Sequence, residues 1–229
     1  MREELVSRNV AALVKVSTPR ARRTLVWTVD QSRQFLENAR DENDPYYVAY
    51  VLMLVLGLRR GEVLGLGWDD VDLAAGRAII AWQLQRVRGQ LLRRPTKTAA
   101  SDSALPLPRI CVTALESRRD TERRLRAKAQ AWHESHLVLT TPLGTPVDPR
   151  NFHRAFIARC RKAGVPVTTV HATRKACASL LVALDVHPRV AMQILRHSQI
   201  AVTMDVYSQV TSDATSRALK RLGEELEGR

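Results

Sequence analysis

The sequence predicts an α+β protein, mostly helical with one small antiparallel sheet. Three observations carry this: helix-period apolar patterning over most of the chain, short alternating apolar runs confined to 68–107, and helical patterning that resumes beyond them. No internal repeat or low-complexity tract interrupts the pattern.

Taking the elements in order, residues 1–16 place Leu5, Val6, Ala11, Leu13 and Val14 on a helical period. A basic linker follows, where Pro19 breaks the pattern beside Arg20, Arg22 and Arg23. Thr28-Val29-Asp30-Gln31 has capping-box spacing and predicts a helix to about Arg40. Asp44-Pro45 predicts the start of an apolar helix reaching Leu58, central to the core. Ala78–Trp82, Gly89–Leu92 and Ala104–Leu107 predict the strands. Helix is expected again over 108–130, a hairpin over 137–147, and a helix capped by Asp148 with Pro149 in its first turn. Beyond His171 the chain predicts helices joined by short turns.

Composition narrows the partners. With 229 residues and 45% hydrophobic content the chain has enough apolar material for a full core. Its 36 Lys and Arg against 23 Asp and Glu leave a net charge of +13, with a pI of about 10.6. A polyanion is the expected partner; a basic soluble protein or a membrane-surface binder is the lesser alternative, since net charge says nothing about fold or chemistry. The longest apolar run, Tyr46–Leu58, is too short for a membrane span, which needs about 20 residues, and no signal peptide is evident. The expected location is therefore the cytoplasm, in association with the nucleoid. Cys111, Cys160 and Cys177 are odd in number and widely spaced, so reduced, mostly buried thiols are expected, with neither a disulfide framework nor a metal site.

Four segments carry candidate chemistry. Gly57-Leu58-Arg59-Arg60-Gly61-Glu62 ends the apolar helix, and Pro95-Thr96-Lys97-Thr98 lies in the predicted sheet. His171-Ala172-Thr173-Arg174 opens a helix, and Leu195-Arg196-His197-Ser198 precedes Asp205-Val206-Tyr207. Each is weak alone: a His followed three places later by a basic residue arises about once by chance in a chain this basic, and a lone tyrosine is a poor nucleophile at neutral pH. Their joint order is what carries information.

In that order the chain resembles the catalytic domain of the tyrosine recombinases, the phage integrase family, over about Thr28–Val210. The resemblance implies a metal-free, cofactor-free strand transfer on double-stranded DNA in which Tyr207 attacks a scissile phosphate. Arg59 and Arg174 would stabilise the pentacoordinate transition state, since a guanidinium donates paired hydrogen bonds and stays charged. Lys97 would protonate the leaving 5′ oxygen, His171 would assist proton transfer at the tyrosine, and His197 would donate to a non-bridging oxygen. Glu62, three residues after Arg59, is expected to orient His171 or an arginine from behind. Arg20, Arg22, Arg23, Arg60 and Lys175 are expected on DNA. Two features depart from the family: Ser101-Asp102-Ser103 where an arginine is frequent, and Lys175 where histidine is frequent. Both bear on affinity or site choice rather than on chemistry.

The resemblance also sets the expected organisation: residues 1–23 as the end of a core-binding domain with its linker, 24–210 as the catalytic domain, and 211–229 as a C-terminal helix able to dock on a neighbouring protomer. A tetramer is expected on DNA, and a monomer for this chain alone. The rival functions are type IB topoisomerase-like relaxation and a catalytically silent DNA-binding factor of the same fold.

Overall fold

In the computed structural model, which describes residues 25–96 and 104–196, Thr28 closes the first helix as its spacing requires. Its Oγ1 accepts the Gln31 N–H at 3.2 Å while the Gln31 side chain accepts the Thr28 N–H at 3.1 Å. Helix α1, Val29–Asp41, then turns Phe35 and Ala39 into the core.

Helix α2 is shorter than the sequence predicts, spanning Tyr47–Val55. At its start Asp44 forms a turn instead of a cap: its side chain accepts the Tyr46 N–H at 2.8 Å and its carbonyl accepts the Tyr47 N–H at 3.0 Å. At its end Gly57 takes a φ of +60°, which breaks the helix two residues past Val55. The helix is central as expected, with Val48 to Leu54 all buried.

Around α2 gathers an aromatic cluster of Trp27, Phe35, Tyr50, Phe152 and Phe156, in which Phe35 meets Tyr50 edge-on at 4.9 Å between ring centres. Trp27 donates its ring N–H to the Pro166 carbonyl at 2.8 Å, so the indole is both packed and satisfied. Behind the cluster Arg159 is buried against Asp44 at 2.6 Å and Glu42 at 2.9 Å, which joins helix α5 (Pro149–Lys162) to the α1–α2 turn.

The strands form two separate sheets where the sequence predicts one. Strands β1 (Val71–Asp72), β2 (Arg77–Ile79) and β5 (Ala104–Pro106) make an antiparallel sheet in the order β1-β2-β5. Strands β3 (Trp82–Val87) and β4 (Gln90–Pro95) form a separate hairpin. The run Ala78–Trp82 is thus divided, because Ile80 leaves the ladder to enter the core at 1% exposure. The hairpin turns on Arg88 and Gly89, both with positive φ, the twist that suits a two-residue connection.

That hairpin is strapped to helix α3, Arg60–Gly65. Arg93 donates to the Gly65 carbonyl at 2.9 Å and to Asp70 at 2.6 Å, with its guanidinium 4.8 Å from the Trp82 ring centre. A Cβ at Gly65 would lie 2.7 Å from the backbone of Gln83, so only glycine lets helix and strand approach this closely.

Helix α4 runs Arg109–Lys128 and α5 begins at Pro149, where Asp148 accepts the Arg150 N–H at 2.7 Å, both as the sequence predicts. The 137–147 stretch makes single bridges, Gly67 to Leu137 and Thr140 to Pro146, rather than a full hairpin. Helix α6, Val170–Ala183, is capped by Thr169, and α7, Pro188–Leu195, ends on Arg196 in the left-handed region at φ 50°. Cys111, Cys160 and Cys177 are free and buried. Burial raises all three thiols, Cys111 to about 12.

Candidate active site

The C-terminal end of α2, the start of α3 and the first turn of α6 meet at one pocket of about 820 Å³. Its described lining holds six arginines, among them Arg59, Arg60 and Arg174, and two histidines, His153 and His171, with no carboxylate. Such a cavity selects for an anion.

Arg59 caps α3 with extended backbone. The Glu62 carboxylate accepts the Arg59 backbone N–H at 2.8 Å through Oε2 and its guanidinium at 2.6 Å through Oε1. The carboxylate is buried while the Arg59 side chain remains 44% exposed at the pocket. Glu62 is thus paired with Arg59 through both carboxylate oxygens. Burial would raise the Glu62 carboxyl, but Arg196 and then Arg59 hold it below the usual carboxylate range.

Arg174 is buried and spans two elements: Nη1 donates to the Gly57 carbonyl at 2.5 Å and Nη2 to the Leu195 carbonyl. Burial first, and the Arg59 charge next, lower its pKa to about 9, which leaves the guanidinium cationic at neutral pH. Gly57 makes this possible, since a Cβ there would sit 2.6 Å from Leu195 Cδ2.

His171 lies in the first turn of α6, three residues before Arg174, and lines the same pocket. Partial burial, then Arg174, Lys175 and Arg59, depress its pKa below the ordinary histidine value. The imidazole is therefore neutral at neutral pH and able to take a proton.

The structure thus brings Arg59, Arg60, His171 and Arg174 to one pocket, with Glu62 directly behind Arg59. Lys175 is exposed on the same helix turn. Lys97, His197 and Tyr207, together with Arg20, Arg22, Arg23 and Asp102, lie outside the described residues.

Sequence reasoning passed over several residues. Arg86 and Arg88 flank the hairpin turn, and Arg150 and His153 share one face of the α5 N-terminal turn; all four line the pocket. Their signals were an Arg-x-Arg-Gly turn and a basic pair at helical spacing. Arg86 is paired with Asp148, which ties the hairpin to α5. Arg196 was passed over as well: its guanidinium is fully buried and donates to Glu62 Oε2 at 2.7 Å. Among the described residues no cluster of His, Cys, Asp and Glu is disposed to hold a metal ion, and no helix is long and apolar enough to cross a membrane.

An α+β scaffold that converges two arginines and a neutral histidine on a pocket whose described lining holds no carboxylate is suited to a phosphodiester. The comparisons agree in class: the phage integrase family matches residues 26–213, and the chain belongs to that family. A tyrosine recombinase XerC-like protein of Caldanaerobacter subterraneus subsp. tengcongensis is 27% identical over 188 residues, covering 76% of this chain and 48% of its own. An integrase of Streptomyces ambofaciens is 30% identical over 221 residues, covering 90% of this chain and 55% of its own. The chain thus spans about half the length of these relatives. In fold it is similar to the Tn1549 transposon integrase in complex with transposon right end DNA, at a TM-score of 0.76 and 21% identity, over 95% of this chain and 71% of that one. The XerA recombinase has the same fold, at a TM-score of 0.65 and 20% identity over 86% of this chain and 64% of that one.

Proposed function

We propose that this chain is the strand-transfer portion of a site-specific DNA recombinase or integrase acting through a 3′-phosphotyrosyl intermediate. The observation that carries the reading is the meeting of Arg59, Arg174 and a neutral His171 at one basic pocket whose described lining holds no carboxylate. Those residues come from separate parts of the chain, and their convergence supplies what a phosphoryl transition state needs: fixed cationic donors and a proton acceptor.

In the proposed reaction the Tyr207 oxygen bonds to the scissile phosphorus as the bond to the 5′ oxygen breaks. The phenolic proton passes toward His171, Lys97 protonates the departing 5′ oxygen, and Arg59, Arg174 and His197 donate to the non-bridging oxygens. The phosphodiester energy is retained in the covalent link, so attack by the 5′ hydroxyl of another strand completes transfer without ATP. Arg60 and Lys175, with Arg20, Arg22 and Arg23 in the linker, would contact the DNA backbone.

The division into a linker segment to residue 23, a catalytic domain over 24–210 and a docking segment over 211–229 belongs to the same reading. So do tetramer assembly on double-stranded DNA and a cytoplasmic, nucleoid-associated location. The test is a nicked duplex made from the joined ends of the parent element, on which strand cleavage traps the covalent intermediate. Wild-type chain should give a slow-migrating adduct on a denaturing gel, and Tyr207→Phe should bind the duplex and give none. An adduct with the Phe variant overturns the assignment.

A further inference from the structure

Glu62 is a carboxylate shared by two arginines that come from opposite ends of the domain. Its Oε1 accepts Arg59 Nη1 at 2.6 Å, while its Oε2 accepts both the Arg59 backbone N–H at 2.8 Å and Arg196 Nη2 at 2.7 Å. The two partners differ in setting. The Arg59 side chain is 44% exposed toward the pocket, whereas the Arg196 side chain is 0% exposed and is not part of the described pocket lining.

Arg196 occupies a place that disfavours it. It ends α7 with φ 50° and ψ 48°, the left-handed region in which glycine is the residue without penalty. Its Nη1 donates to the Ile194 carbonyl at 3.0 Å, and its buried Nε has no hydrogen-bond partner among the described residues. A full charge is thus buried, incompletely satisfied and set on a backbone conformation suited to another residue. What these costs are set against is a single ion pair with the carboxylate that aims Arg59.

We propose that Arg196 is a positioning residue for the reaction: it fixes one oxygen of Glu62 so that the other holds the Arg59 guanidinium facing the pocket. The proposal rests on the phosphoryl-transfer reading above. Without Arg196 the buried carboxylate keeps one half-exposed cation and gains rotational freedom, and its two hydrogen bonds to Arg59 lose the anchor behind them. The same pair also couples α3 to the end of α7, and His197 follows Arg196 directly in the chain.

The charged groups facing Glu62 are Arg59 from α3, Arg174 from α6 and Arg196 from the end of α7. Removing Arg196 takes away the foremost influence holding the carboxyl low, so its pKa rises. Below that raised value Glu62 is protonated and no longer holds Arg59 as an anion.

The informative variant is Arg196→Gly, which deletes the ion pair while giving the left-handed position the residue that suits it. Single-turnover formation of the phosphotyrosyl adduct is measured on a nicked duplex made from the joined ends of the parent element, across pH, beside the dissociation constant for the same duplex and the far-ultraviolet circular dichroism. Wild-type adduct establishes the underlying reading; its absence counts against that reading and is seen before any variant is compared. With wild type active, Arg196→Gly should slow adduct formation about 10- to 100-fold, with binding and helical signal retained. On the acidic side its rate should begin to fall at a higher pH than that of wild type, as protonation of Glu62 adds to that of His171. Arg196→Lys, which restores a buried cation, should recover part of the rate and return the limb toward wild type. A Gly variant that cleaves at the wild-type rate overturns the proposal. So does one that is slow only because helical signal or DNA affinity is lost, and so does a Lys variant no better than Gly.

Discussion

Arg174 donates to the carbonyl oxygen of Gly57, a residue 117 positions earlier in the chain, at 2.5 Å. A guanidinium proposed to face DNA is thus locked by the backbone that ends the central helix, so stability and chemistry meet in one contact. Replacing Gly57 tests the coupling from the structural side. Gly57→Ala places a Cβ 2.6 Å from Leu195 Cδ2 on a backbone of φ +60°. Overpacking and the left-handed conformation together should cost about 2–4 kcal/mol. Thermal denaturation followed by circular dichroism should show the fall in Tm, and a Tm equal to that of wild type would show that α2 and α7 repack freely.

From the chemical side, Arg174→Lys keeps a cation and removes the planar fork. An ammonium cannot serve the Gly57 and Leu195 carbonyls and a phosphate in the same geometry. Cleavage should slow by at least about 10²-fold, as on losing one transition-state donor, while affinity for the duplex changes little. Near-wild-type adduct formation would remove Arg174 from its proposed role.

The depressed pKa of His171 predicts the direction of a pH effect. In its proposed role the histidine accepts the tyrosine proton in the neutral form, so cleavage should fall as pH drops through its pKa, and that pKa lies below 6.5 because of burial and then the charges of Arg174, Lys175 and Arg59. Lys175→Met removes one of those charges without touching the others. The acidic limb should therefore move up toward the ordinary histidine value; a limb that stays in place would assign it to another group.

Lys97 is tested by changing the leaving group. A 5′-bridging sulfur departs as a thiolate that needs no proton, so Lys97→Ala should be slow on the oxygen substrate and near wild type on the sulfur one. Equal defects on both would make Lys97 a positioning residue only.

How far these roles were legible in the sequence depended on the range of the signal. Local chemistry read well: the Thr28–Gln31 capping box and the Asp148–Pro149 start both stand where their spacing places them. The length of α2 did not, because the Asp44 side chain serves a turn, and an Asp-Pro pair signals a turn and a helix start alike. The single predicted sheet is divided into two because Ile80 is drawn into the core, a tertiary demand with no local mark. At the pocket, Arg59, His171 and Arg174 were legible as motifs. The Glu62–Arg196 pair joins residues 134 apart, and no pattern in one sequence reports a contact of that range.

The last prediction concerns affinity. The described lining of the pocket holds six arginines, among them Arg88, exposed in the hairpin turn, and Arg150, exposed at the head of α5. Contacts of this kind neutralise phosphates, and each one adds about −0.9 to the slope of log affinity against log salt. They set register on a duplex without reading its sequence. The 229-residue chain should therefore be largely monomeric in the absence of DNA, lose affinity steeply as salt rises, and prefer a cognate duplex only weakly over a scrambled one. Arg88→Ala and Arg150→Ala should each flatten the slope by about one unit and weaken cognate and scrambled duplexes alike. Fluorescence anisotropy over a salt series on both duplexes measures all of this. A strong preference for the cognate site that persists at high salt would mean that base edges are read within this chain, and that the arginines around the pocket are not the main source of its affinity.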